Sequence, residues 1–544
     1  MALAVSFGNT VLGLSLGVLV GIAYTLVSRS TAMGSVENVF TAAALAFPLW
    51  TVFNTILIPA LSGHGPQWSA EDMRMLLPGL VGWIVYGAML GVLIPVLSAA
   101  LAAFAGPEPQ AVAQPTARQP LRVVILGGGF AGMTTAEQLE RQFGAGLEVS
   151  FTLISEGNAL LFTPMLAEVA GSSLEPSHIS SPLRTSLHRT KVLRARVTGV
   201  DFERRCVLAD SGEGPEPVSI PYDHLVFALG SKANYFGNEN VRKNSFDFKS
   251  LLDAIRIRNH VIEMFELADA EEDKVARQER LTFVIAGGGF AGVELAGSLN
   301  DFARGILADY PRLRPEDVQV IVVHPRDVIL PELSQSLGEY ARRHMEVRGI
   351  RFELGRRVLD AGPESVKLDT REIRARTLVW TAGTLPNPLL REAGLETEKR
   401  GAVIVDNTLA VKGRPGLWAL GDCAAVIDAK TGKPCPPTAQ FALRQGRVLA
   451  RNIKADIQGR KLQPFHFDSL GALCVVGHHT ACAEFNLPRP IGKPIRFSGL
   501  LAWLMWRGIY VSKLPGLERK VRVLLDWTVE LFFPRDIVQT IDLK

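Results

Sequence analysis

One hexapeptide, Gly-Gly-Gly-Phe-Ala-Gly, occurs twice in this chain, at residues 127–132 and again at residues 287–292. Each copy follows a short apolar run, residues 121–126 and 281–286, and each precedes a stretch with helical periodicity. Strand, tight glycine turn and helix in that order form the phosphate-binding corner of a dinucleotide-binding fold. A single copy would be weak evidence, because many surface turns are rich in glycine. Two identical copies in the same context predict two such folds in one chain.

Three glycines in each copy have separate tasks. In the first copy Gly127 permits the turn, Gly129 lets backbone amides approach a pyrophosphate, and Gly132 lets the helix lie close to the strand. The corresponding residues of the second copy are Gly287, Gly289 and Gly292. Unpaired N–H groups at the start of the helix would then bind the anion.

Two later segments, residues 225–230 and 378–383, are each a strand that ends in a turn of small residues. Each could be an ordinary strand end. As a matched pair, however, they indicate two chain crossings, which are the places where the chain passes from one fold to the other. The second fold is then inserted in the first, the arrangement that a flavin and a nicotinamide nucleotide require in one chain.

Two carboxylates follow strands of the first fold. Glu156 comes after the apolar strand at residues 149–154, where it can accept hydrogen bonds from a ribose. Asp422, with Gly421, forms a glycine turn after the strand at residues 416–420. A carboxylate there can hold a flavin ribityl hydroxyl, and it can also cap a helix.

The first hundred residues are strongly apolar. Charged side chains between residues 1 and 106 are confined to two gaps that separate apolar runs at residues 5–27, 39–61 and 75–104. Each run reaches the roughly 20 residues that a helix needs to cross a bilayer. We therefore predict a transmembrane region of about three helices; the alternative is buried core helices. No charge lies within a run, so the region is predicted to anchor the protein rather than conduct ions.

The predicted orientation places the catalytic domains in the cytoplasm. Arg29 lies in the first gap, and Arg118 and Arg122 follow the third run, which suits cytoplasmic positions if the number of spans is odd. Nicotinamide nucleotides are found on that side too. The predicted location is therefore the cell membrane, with a semi-rigid proline-rich linker at residues 107–120.

The C-terminal stretch from residue 500 to residue 533 combines Trp503 and Trp506 with a basic group formed by Lys513, Arg519, Lys520 and Arg522. Tryptophan beside basic residues on amphipathic helices is typical of a surface that lies in the membrane interface. A hairpin that caps a soluble core, or that forms a dimer, is the alternative.

With these motifs in place, residues 122–539 resemble the type II NADH dehydrogenases, the single-subunit NADH:quinone oxidoreductases among flavoproteins with two dinucleotide-binding domains. The resemblance rests on both hexapeptides and on the segments 292–294, 380–383, 421–422, 437–440 and 532–538. It implies an enzyme that passes hydride from NADH to non-covalently bound FAD and then two electrons to a quinone, without pumping protons. The N-terminal apolar region has no counterpart in the family.

The resemblance also implies a role for each site residue. FAD would be held by Gly127, Gly129, Gly132, Glu156, Gly421 and Asp422. The nicotinamide nucleotide would be held by Gly287, Gly289, Gly292, His324 and Gly383. Glu294 would lie beside the nicotinamide and the flavin, and Gln440, with Arg444 nearby, would lie at the quinone end.

Three positions depart from the family pattern. In the first fold Ser155 occupies the place of the ribose-binding acid, and we expect Glu156 to substitute for it. In the second fold that place is taken by His324 with Arg326 nearby, which leaves NADPH open as the donor. Arg444 replaces the second glutamine of the quinone motif, so a reductase with another acceptor and a flavoprotein sensor or scaffold with little turnover both stay open.

Charge and cysteine content exclude other classes. A net charge of +4 with 21% charged residues gives no sign of nucleic-acid binding. No cysteine lies between Gly127 and Val200, where disulfide reductases need a redox pair, and the five cysteines show no metal-binding spacing. Only Cys423 and Cys474 could serve the chemistry of a sulfide:quinone oxidoreductase, and buried thiols are the simpler interpretation. A homodimer stays open.

The predicted fold class is α/β, with two Rossmann-like domains preceded by an all-α transmembrane region and followed by amphipathic helices. The predicted segments are a transmembrane region at 1–106, a linker at 107–120, the FAD-binding domain at 121–280 and 386–495, the NAD(P)H-binding domain at 281–385, and a membrane-interface region at 496–544.

Overall fold

The computed structural model describes residues 21, 35–61, 63, 70–105, 120–143, 149–212, 214, 216–486, 492 and 494–539. The chain divides into two compact units. The helical unit comprises Met1–Pro115, His479–Ala481 and Phe497–Leu525, and the α/β unit comprises Thr116–His478, Cys482–Arg496 and Asp526–Lys544.

The longer helices account for most of the helical residues. Those of eight residues or more, in chain order, are α1 (Ser35–Val52), α2 (Ala70–Ala105), α3 (Phe130–Gln142), α4 (Leu251–Ala270), α5 (Phe290–Gly305), α6 (Gln335–Val347), α7 (Ala439–Ile457), α8 (Leu500–Lys513) and α9 (Leu517–Glu530). Shorter α-helices are Ile58–Leu61, Leu166–Ala170, Leu183–Ser186, Glu239–Lys243, Lys274–Arg280 and Leu389–Glu392.

The strands fall into three stretches of the chain. The first stretch holds β1 (Leu121–Leu126), β2 (Val149–Ser155), β3 (Ala159–Leu161), β4 (Ser180–Pro182), β5 (Lys191–Arg194), β6 (Arg196–Asp201), β7 (Cys206–Asp210), β8 (Val218–Pro221), β9 (His224–Phe227), β10 (Ser231–Ala233) and β11 (Phe246–Asp247). The second holds β12 (Thr282–Ala286), β13 (Gln319–His324), β14 (Ile350–Leu354), β15 (Val358–Ala361), β16 (Ser365–Leu368), β17 (Glu372–Arg374), β18 (Thr377–Trp380) and β19 (Thr384–Pro386). The third holds β20 (Val403–Ile404), β21 (Leu417–Ala419), β22 (Ala424–Ala425), β23 (Gly471–Gly477), β24 (Thr480–Phe485) and β25 (Ile495–Gly499).

The first large sheet of the α/β unit is parallel, with strand order β21-β9-β1-β2-β5. Its central strand β1 is apolar and buried from Val123 to Leu126. Strands that are covered on both faces have this composition, because helices pack on each side of a parallel sheet. The late strand β21 joins this sheet after the whole second fold has intervened, so the predicted insertion is confirmed.

The second large sheet is also parallel, with strand order β11-β18-β12-β13-β14. Its edge strand β11 precedes residue 281, so the second fold begins earlier in the chain than we predicted. The reason is that a strand of two residues has no periodicity by which the sequence could reveal it. Antiparallel three-stranded sheets, β6-β7-β8 and β15-β16-β17, accompany the two large sheets.

The two predicted chain crossings lie side by side. Strand β10 pairs antiparallel with β19, each directly after a strand of its own large sheet. At the second crossing the carbonyl of Gly383 accepts a hydrogen bond from the N–H of Asn234 (3.0 Å). A Cβ on Gly383 would lie 3.1 Å from the Phe236 ring. Gly383 therefore lets the two connecting strands approach each other.

In the helical unit, the second and third apolar runs form helices. The second corresponds to α1 and a short π-helical turn, Phe53–Leu57, and the third corresponds to α2. Within α2 the segment Pro78–Leu97 is long and apolar enough to cross a membrane, and only 11% of it is buried in the protein. Of the first run only residue 21 is described, and the linker at 107–119 lies outside the described residues.

The C-terminal helix α8 differs from the predicted interfacial surface. Trp503 and Trp506 are buried, with only 1% of Trp506 exposed, and α8 packs on α1 within the helical unit. Lys520 of α9 is also buried, and its Nζ donates a hydrogen bond to Thr41 Oγ1 of α1 (2.7 Å). These three side chains therefore cannot belong to an exposed interface, because the other helices of the unit cover them.

Candidate active site

The first glycine loop is packed on its inner side and open on its outer side. Gly127 has φ +107° and lies against the carbonyl of Ala228, and a Cβ on Gly132 would clash with the carbonyl of Gly127. A Cβ on Gly129 would meet no protein atom within 4 Å. The first loop is therefore open beside Gly129, which fits the pyrophosphate of a dinucleotide.

The second glycine loop repeats this arrangement with one difference. Gly287 has φ +124°, and a Cβ on Gly292 would clash with the Gly287 carbonyl. A Cβ on Gly289, however, would lie 3.3 Å from Oε1 of Glu332. A carboxylate thus lies at the second loop at the position where the first loop is open.

The strand ends beside the two loops are equivalent in space. A Cβ on Gly128 would lie 2.7 Å from Ser155 Oγ, and one on Gly288 would lie 2.8 Å from His324 Cγ. Neither strand end carries an acid. Ser155 and His324 occupy the two equivalent positions, as the sequence indicated. Glu156 lies one residue beyond, exposed, with Oε1 3.7 Å from Arg196 Nε.

Asp422 belongs to a short polar chain. Ser231 Oγ donates a hydrogen bond to Asp422 Oδ2 (2.8 Å), and Lys249 Nζ donates to Ser231 Oγ (2.7 Å). Burial lowers the pKa of Lys249, while the negative charges of Asp422 and Asp247 oppose that shift. The capping alternative for Asp422 is wrong, because it lies inside a 3-10 turn whose N-cap is Leu420.

The glycine turn beside Asp422 is held by a residue of α7. The N–H of Gly421 donates to Oε1 of Gln445 (2.7 Å), and Gln445 is buried. Since Gly421 has φ +72°, a conformation that glycine adopts without strain, the amide of Gln445 fixes the orientation of the turn and of the carboxylate that follows it.

Strand β23 contacts both the residue that was predicted to lie beside the nicotinamide, Glu294, and the residue that was predicted at the quinone end, Gln440. The N–H of Val475 donates to Glu294 Oε1 (3.3 Å), and Gln440 Nε2 donates to the carbonyl of Gly471 (3.1 Å). Four residues of strand separate these contacts, about 13 Å at the usual rise per residue. Glu294 and Gln440 are therefore positioned by one rigid element.

Gln440 and Arg444, one turn apart on α7, have different surroundings. The amide oxygen of Gln440 also accepts a hydrogen bond from the N–H of Leu470 (3.0 Å), so both ends of its amide bind backbone. Arg444 stacks on the ring of Phe467 at 4.8 Å, and among the residues that the structure describes no carboxylate pairs with it. Burial and the nearby Arg447 lower the pKa of Arg444, which is nonetheless a cation at neutral pH.

The two cysteines considered for thiol chemistry are buried. Cys423 Sγ donates to the carbonyls of Phe227 (3.3 Å) and Leu420 (3.2 Å), and burial raises the pKa of this thiol to about 11. Burial also raises the pKa of Cys474 well above the usual range. Reactive cysteines need a thiolate, so both residues are core thiols.

Four residues that the sequence did not single out contribute to the site: Ser231, Lys249, Glu332 and Gln445. Ser231 follows directly on the first chain crossing, and Gln445 lies five residues after Gln440. The positions of these two residues beside known motifs could therefore have identified them. Lys249 and Glu332 lie in segments without a recognisable motif. Only the tertiary structure brings them to the glycine loops and to Asp422.

Comparison with protein families gives two matches. Residues 121–446 match the family described as pyridine nucleotide-disulphide oxidoreductase. Residues 470–536 match the NDH2 C-terminal domain. Together the two matches cover most of the chain between residues 121 and 536.

Individual relatives agree with these matches. The type II NADH:quinone oxidoreductase Ndh of Mycobacterium tuberculosis is 30% identical over 79% of this chain and 91% of its own length. A probable NADH dehydrogenase of Dictyostelium discoideum is 31% identical over 76% of this chain and 90% of its own. The solved structure of NDH2 from Plasmodium falciparum in complex with NADH covers 77% of this chain and all of its own, with a TM-score of 0.70 and 18% identity, which supports the fold.

Proposed function

The chain belongs to the family of type II NADH:quinone oxidoreductases, and we propose that it uses FAD to pass electrons from NADH to a quinone at a membrane. The observation that carries this proposal is the pair of glycine loops with the same backbone packing, in two parallel sheets of which one is inserted in the other. Such a pair binds two dinucleotides in one chain.

FAD would bind in the first fold. When bound, FAD supplies the carrier that takes two electrons from NADH and gives them to the quinone. The glycine loop with Gly129 would hold its pyrophosphate, and Asp422 would accept a hydrogen bond from a ribityl hydroxyl. Lys249 and Ser231 orient that carboxylate, and the exposed Glu156 would bind the adenosine ribose.

NADH would bind in the second fold. Gly287, Gly289 and Gly292 form the loop for its pyrophosphate, and His324 lies at the strand end beside it. Glu294, near the start of α5, is held toward β23 and would border the nicotinamide. These residues bind and orient the donor, which is what hydride transfer requires of a protein.

The two residues predicted for the quinone end have different contacts. Both ends of the Gln440 amide bind the backbone at Leu470 and Gly471, so Gln440 would position β23 rather than contact the quinone. Arg444 has a half-buried cationic group stacked on Phe467. We assign to Arg444 the contact with the quinone oxygens, where its charge favours the electron-rich reduced form.

The enzyme is membrane-associated, as its family is. The exposed apolar surface of Pro78–Leu97 gives a reason for the attachment, because a helix of that composition is stable in lipid. We propose a cytoplasmic position for the α/β unit, which is supported by the arginines around the apolar runs and by the presence of nicotinamide nucleotides on that side. Lipid contacts of the C-terminal segment, a homodimer and use of NADPH stay predictions.

The test of the function is a pair of half-reactions on the purified protein. It should be yellow and release FAD on denaturation, NADH should bleach the flavin without air, and a quinone should restore the colour. A colourless protein would contradict the FAD assignment. Bleaching without reoxidation by quinones would indicate another acceptor, and no bleaching by NADH would indicate a sensor.

The same half-reactions test Arg444. We expect Arg444→Leu to lower kcat/KM for the quinone about tenfold, the order of one charged hydrogen bond, and to leave flavin reduction by NADH unchanged. Arg451→Leu is the matched control, since Arg451 lies two turns further along α7 and is exposed. Equal quinone kinetics in the two variants would remove Arg444 from the quinone end.

A further inference from the structure

His324 does not act as a substitute for the missing carboxylate. The N–H of Gly288 donates to His324 Nδ1 (3.0 Å), so the ring proton lies on Nε2. Nε2 is buried and has no hydrogen-bond partner among the described residues. Burial and the charge of Arg326 lower the pKa of His324, so the ring is neutral. The side chain fixes the glycine loop and offers one donor, but it cannot accept a hydrogen bond from a ribose.

A carboxylate reaches the same loop from the segment after β13. The N–H of Leu330 donates to the carbonyl of Gly288 (2.8 Å), which ties residues 329–332 to the loop. Leu330 has φ +50°, a conformation that residues other than glycine rarely adopt. This turn brings Glu332 Oε1 to 3.3 Å from the position of a Cβ on Gly289.

The carboxylate of Glu332 is open to solvent. Its side chain is exposed, and among the described residues no cation lies within ion-pairing distance. The pKa of Glu332 is raised by partial desolvation, while a hydrogen bond from its own backbone N–H and the charge of Arg326 oppose that shift. His324, Arg326 and Glu332 thus belong to one stretch of chain at and after the end of β13, which hydrogen bonds of His324 and Leu330 with Gly288 join to the glycine loop.

That part of the site is where an adenosine ribose lies. In a dinucleotide fold the ribose next to adenine sits between the glycine loop and the end of the second strand, here β13. A carboxylate there accepts hydrogen bonds from the 2′- and 3′-hydroxyls and repels a 2′-phosphate.

We propose that Glu332 is the residue that binds the adenosine ribose of the donor and selects NADH over NADPH, in place of an acid at the strand end. This role of Glu332 rests on the proposed function, and it identifies NADH as the electron donor. His324 holds the loop at Gly288 and adds the Nε2–H donor, and Glu332 supplies the acceptor for the hydroxyls.

The test compares Glu332→Gln with wild-type holoenzyme in two assays. In the first, flavin reduction is followed with NADH, with NADPH and with NADH that lacks the adenosine 2′-hydroxyl. We expect wild type to prefer NADH over the deoxy analogue about tenfold, the order of a hydrogen bond to a charged group. Glu332→Gln should lose that preference and should shift the NADPH/NADH ratio of kcat/KM upward by about the same factor.

In the second assay, ADP-ribose and its 2′-phosphate are titrated calorimetrically into the same proteins, which requires no turnover. Glu332→Gln should weaken ADP-ribose and strengthen the phosphorylated ligand. Glu339→Gln, an exposed acid on α6, is the matched control and should resemble wild type. Flavin content and reduction by dithionite show whether each variant is folded.

The outcomes separate this inference from the proposed function. Reduction by NADH with an unchanged nucleotide ratio in Glu332→Gln, or equal use of NADH and its deoxy analogue by wild type, overturns the role of Glu332 alone. A wild-type flavin that NADH does not reduce overturns the proposed function, and the ADP-ribose titration still decides on Glu332. If Glu332→Gln does not fold, the comparison of NADH with its deoxy analogue in the wild-type enzyme still tests whether the 2′-hydroxyl is bound.

Discussion

Within the first glycine loop, Gly129 differs from Gly127 and Gly132 in what a side chain would meet. The other two are packed against backbone, so a substitution there would disturb the protein itself. Gly129 has φ −78° and ψ −172°, a conformation that any residue adopts, and open space beside it. A side chain at this position would meet the ligand rather than the protein.

We therefore expect Gly129→Val to fold and to lose FAD. The measurement is the ratio of flavin to protein absorbance, with circular dichroism to verify folding. Gly305→Val is a suitable control, because Gly305 also has regular backbone angles and no atom within 4 Å of a Cβ. Full FAD occupancy in Gly129→Val would show that this loop does not bind the pyrophosphate.

His260 predicts a pH dependence of stability. It hydrogen-bonds Thr377 Oγ1 through Nε2 (2.9 Å) and packs on the Phe246 ring, and burial lowers its pKa from 6.5 to about 4. Because the folded pKa lies below the unfolded one, protonation favours unfolding. The contribution is fully present above pH 6.5 and is lost as the pH falls toward 4, ~3 kcal/mol in total.

The measurement is the free energy of unfolding of the α/β unit by urea, followed by flavin fluorescence in full-length protein at pH 7 and at pH 4.5. In His260→Gln the amide can still bind Thr377 but does not titrate. The pH-dependent loss should therefore be smaller in the variant than in wild type. An identical loss in both proteins would show that other groups cause the acid sensitivity.

At the scale of elements, the contact between α1 and α2 depends on two glycines one turn apart. A Cβ on Gly87 would lie 2.5 Å from the carbonyl of Ala42, and one on Gly91 would clash with the backbone of Val39. Small residues at this spacing let two helices approach closely, which is a main source of helix association in lipid. Asn38 Nδ2 adds a buried hydrogen bond to the carbonyl of Gly91 (2.9 Å).

We expect Gly91→Leu to separate α1 from α2, while Gly82→Leu on the same helix has no effect, since a Cβ there meets nothing within 4 Å. The measurement is the labelling rate of Ala42→Cys by a maleimide in detergent, because Ala42 is 3% exposed. Labelling should be fast only in the Gly91→Leu background. Slow labelling in both backgrounds would mean that the glycines do not control the contact.

At the scale of the whole molecule, we expect two exposed apolar surfaces to attach the protein to membranes. The segment Pro78–Leu97 is one of them. The other is an exposed apolar group near the C-terminus, Leu524, Leu525, Val529, Leu531, Phe532 and Phe533. The basic residues contribute less than their number indicates, because Lys520 is buried and Arg522 Nη2 lies 2.5 Å from Glu518 Oε1.

We therefore expect a chain that starts at Gln119 to bind liposomes at low salt, and salt to weaken that binding only modestly. Removing α1 also uncovers the side of α8 that packs on it, which adds apolar surface. The measurement is co-flotation with liposomes, and Phe532→Ser with Phe533→Ser in the same truncated chain should reduce it. A truncated chain that stays free of liposomes would make the N-terminal helices the sole attachment.

The two dinucleotide folds, their nesting and the apolar helices α1 and α2 could all be predicted from the amino-acid sequence. Those features are encoded locally, in a strand, a glycine turn and a helix that follow one another, or in the length of an apolar run. Gly129, Gly289 and Asp422 could be proposed as site residues for the same reason, because each lies in such a local motif.

The partners of the remaining side chains could not be predicted in this way, because they come from distant parts of the chain. Gln440 is engaged by β23, Trp506 and Lys520 are buried, and Glu332 reaches Gly289 across 43 residues of chain. An amphipathic pattern shows which side of a helix is apolar but not what covers it, and the composition of a loop does not show where the loop returns. The free energy of such long-range contacts depends on surfaces that come together only when both folds are complete.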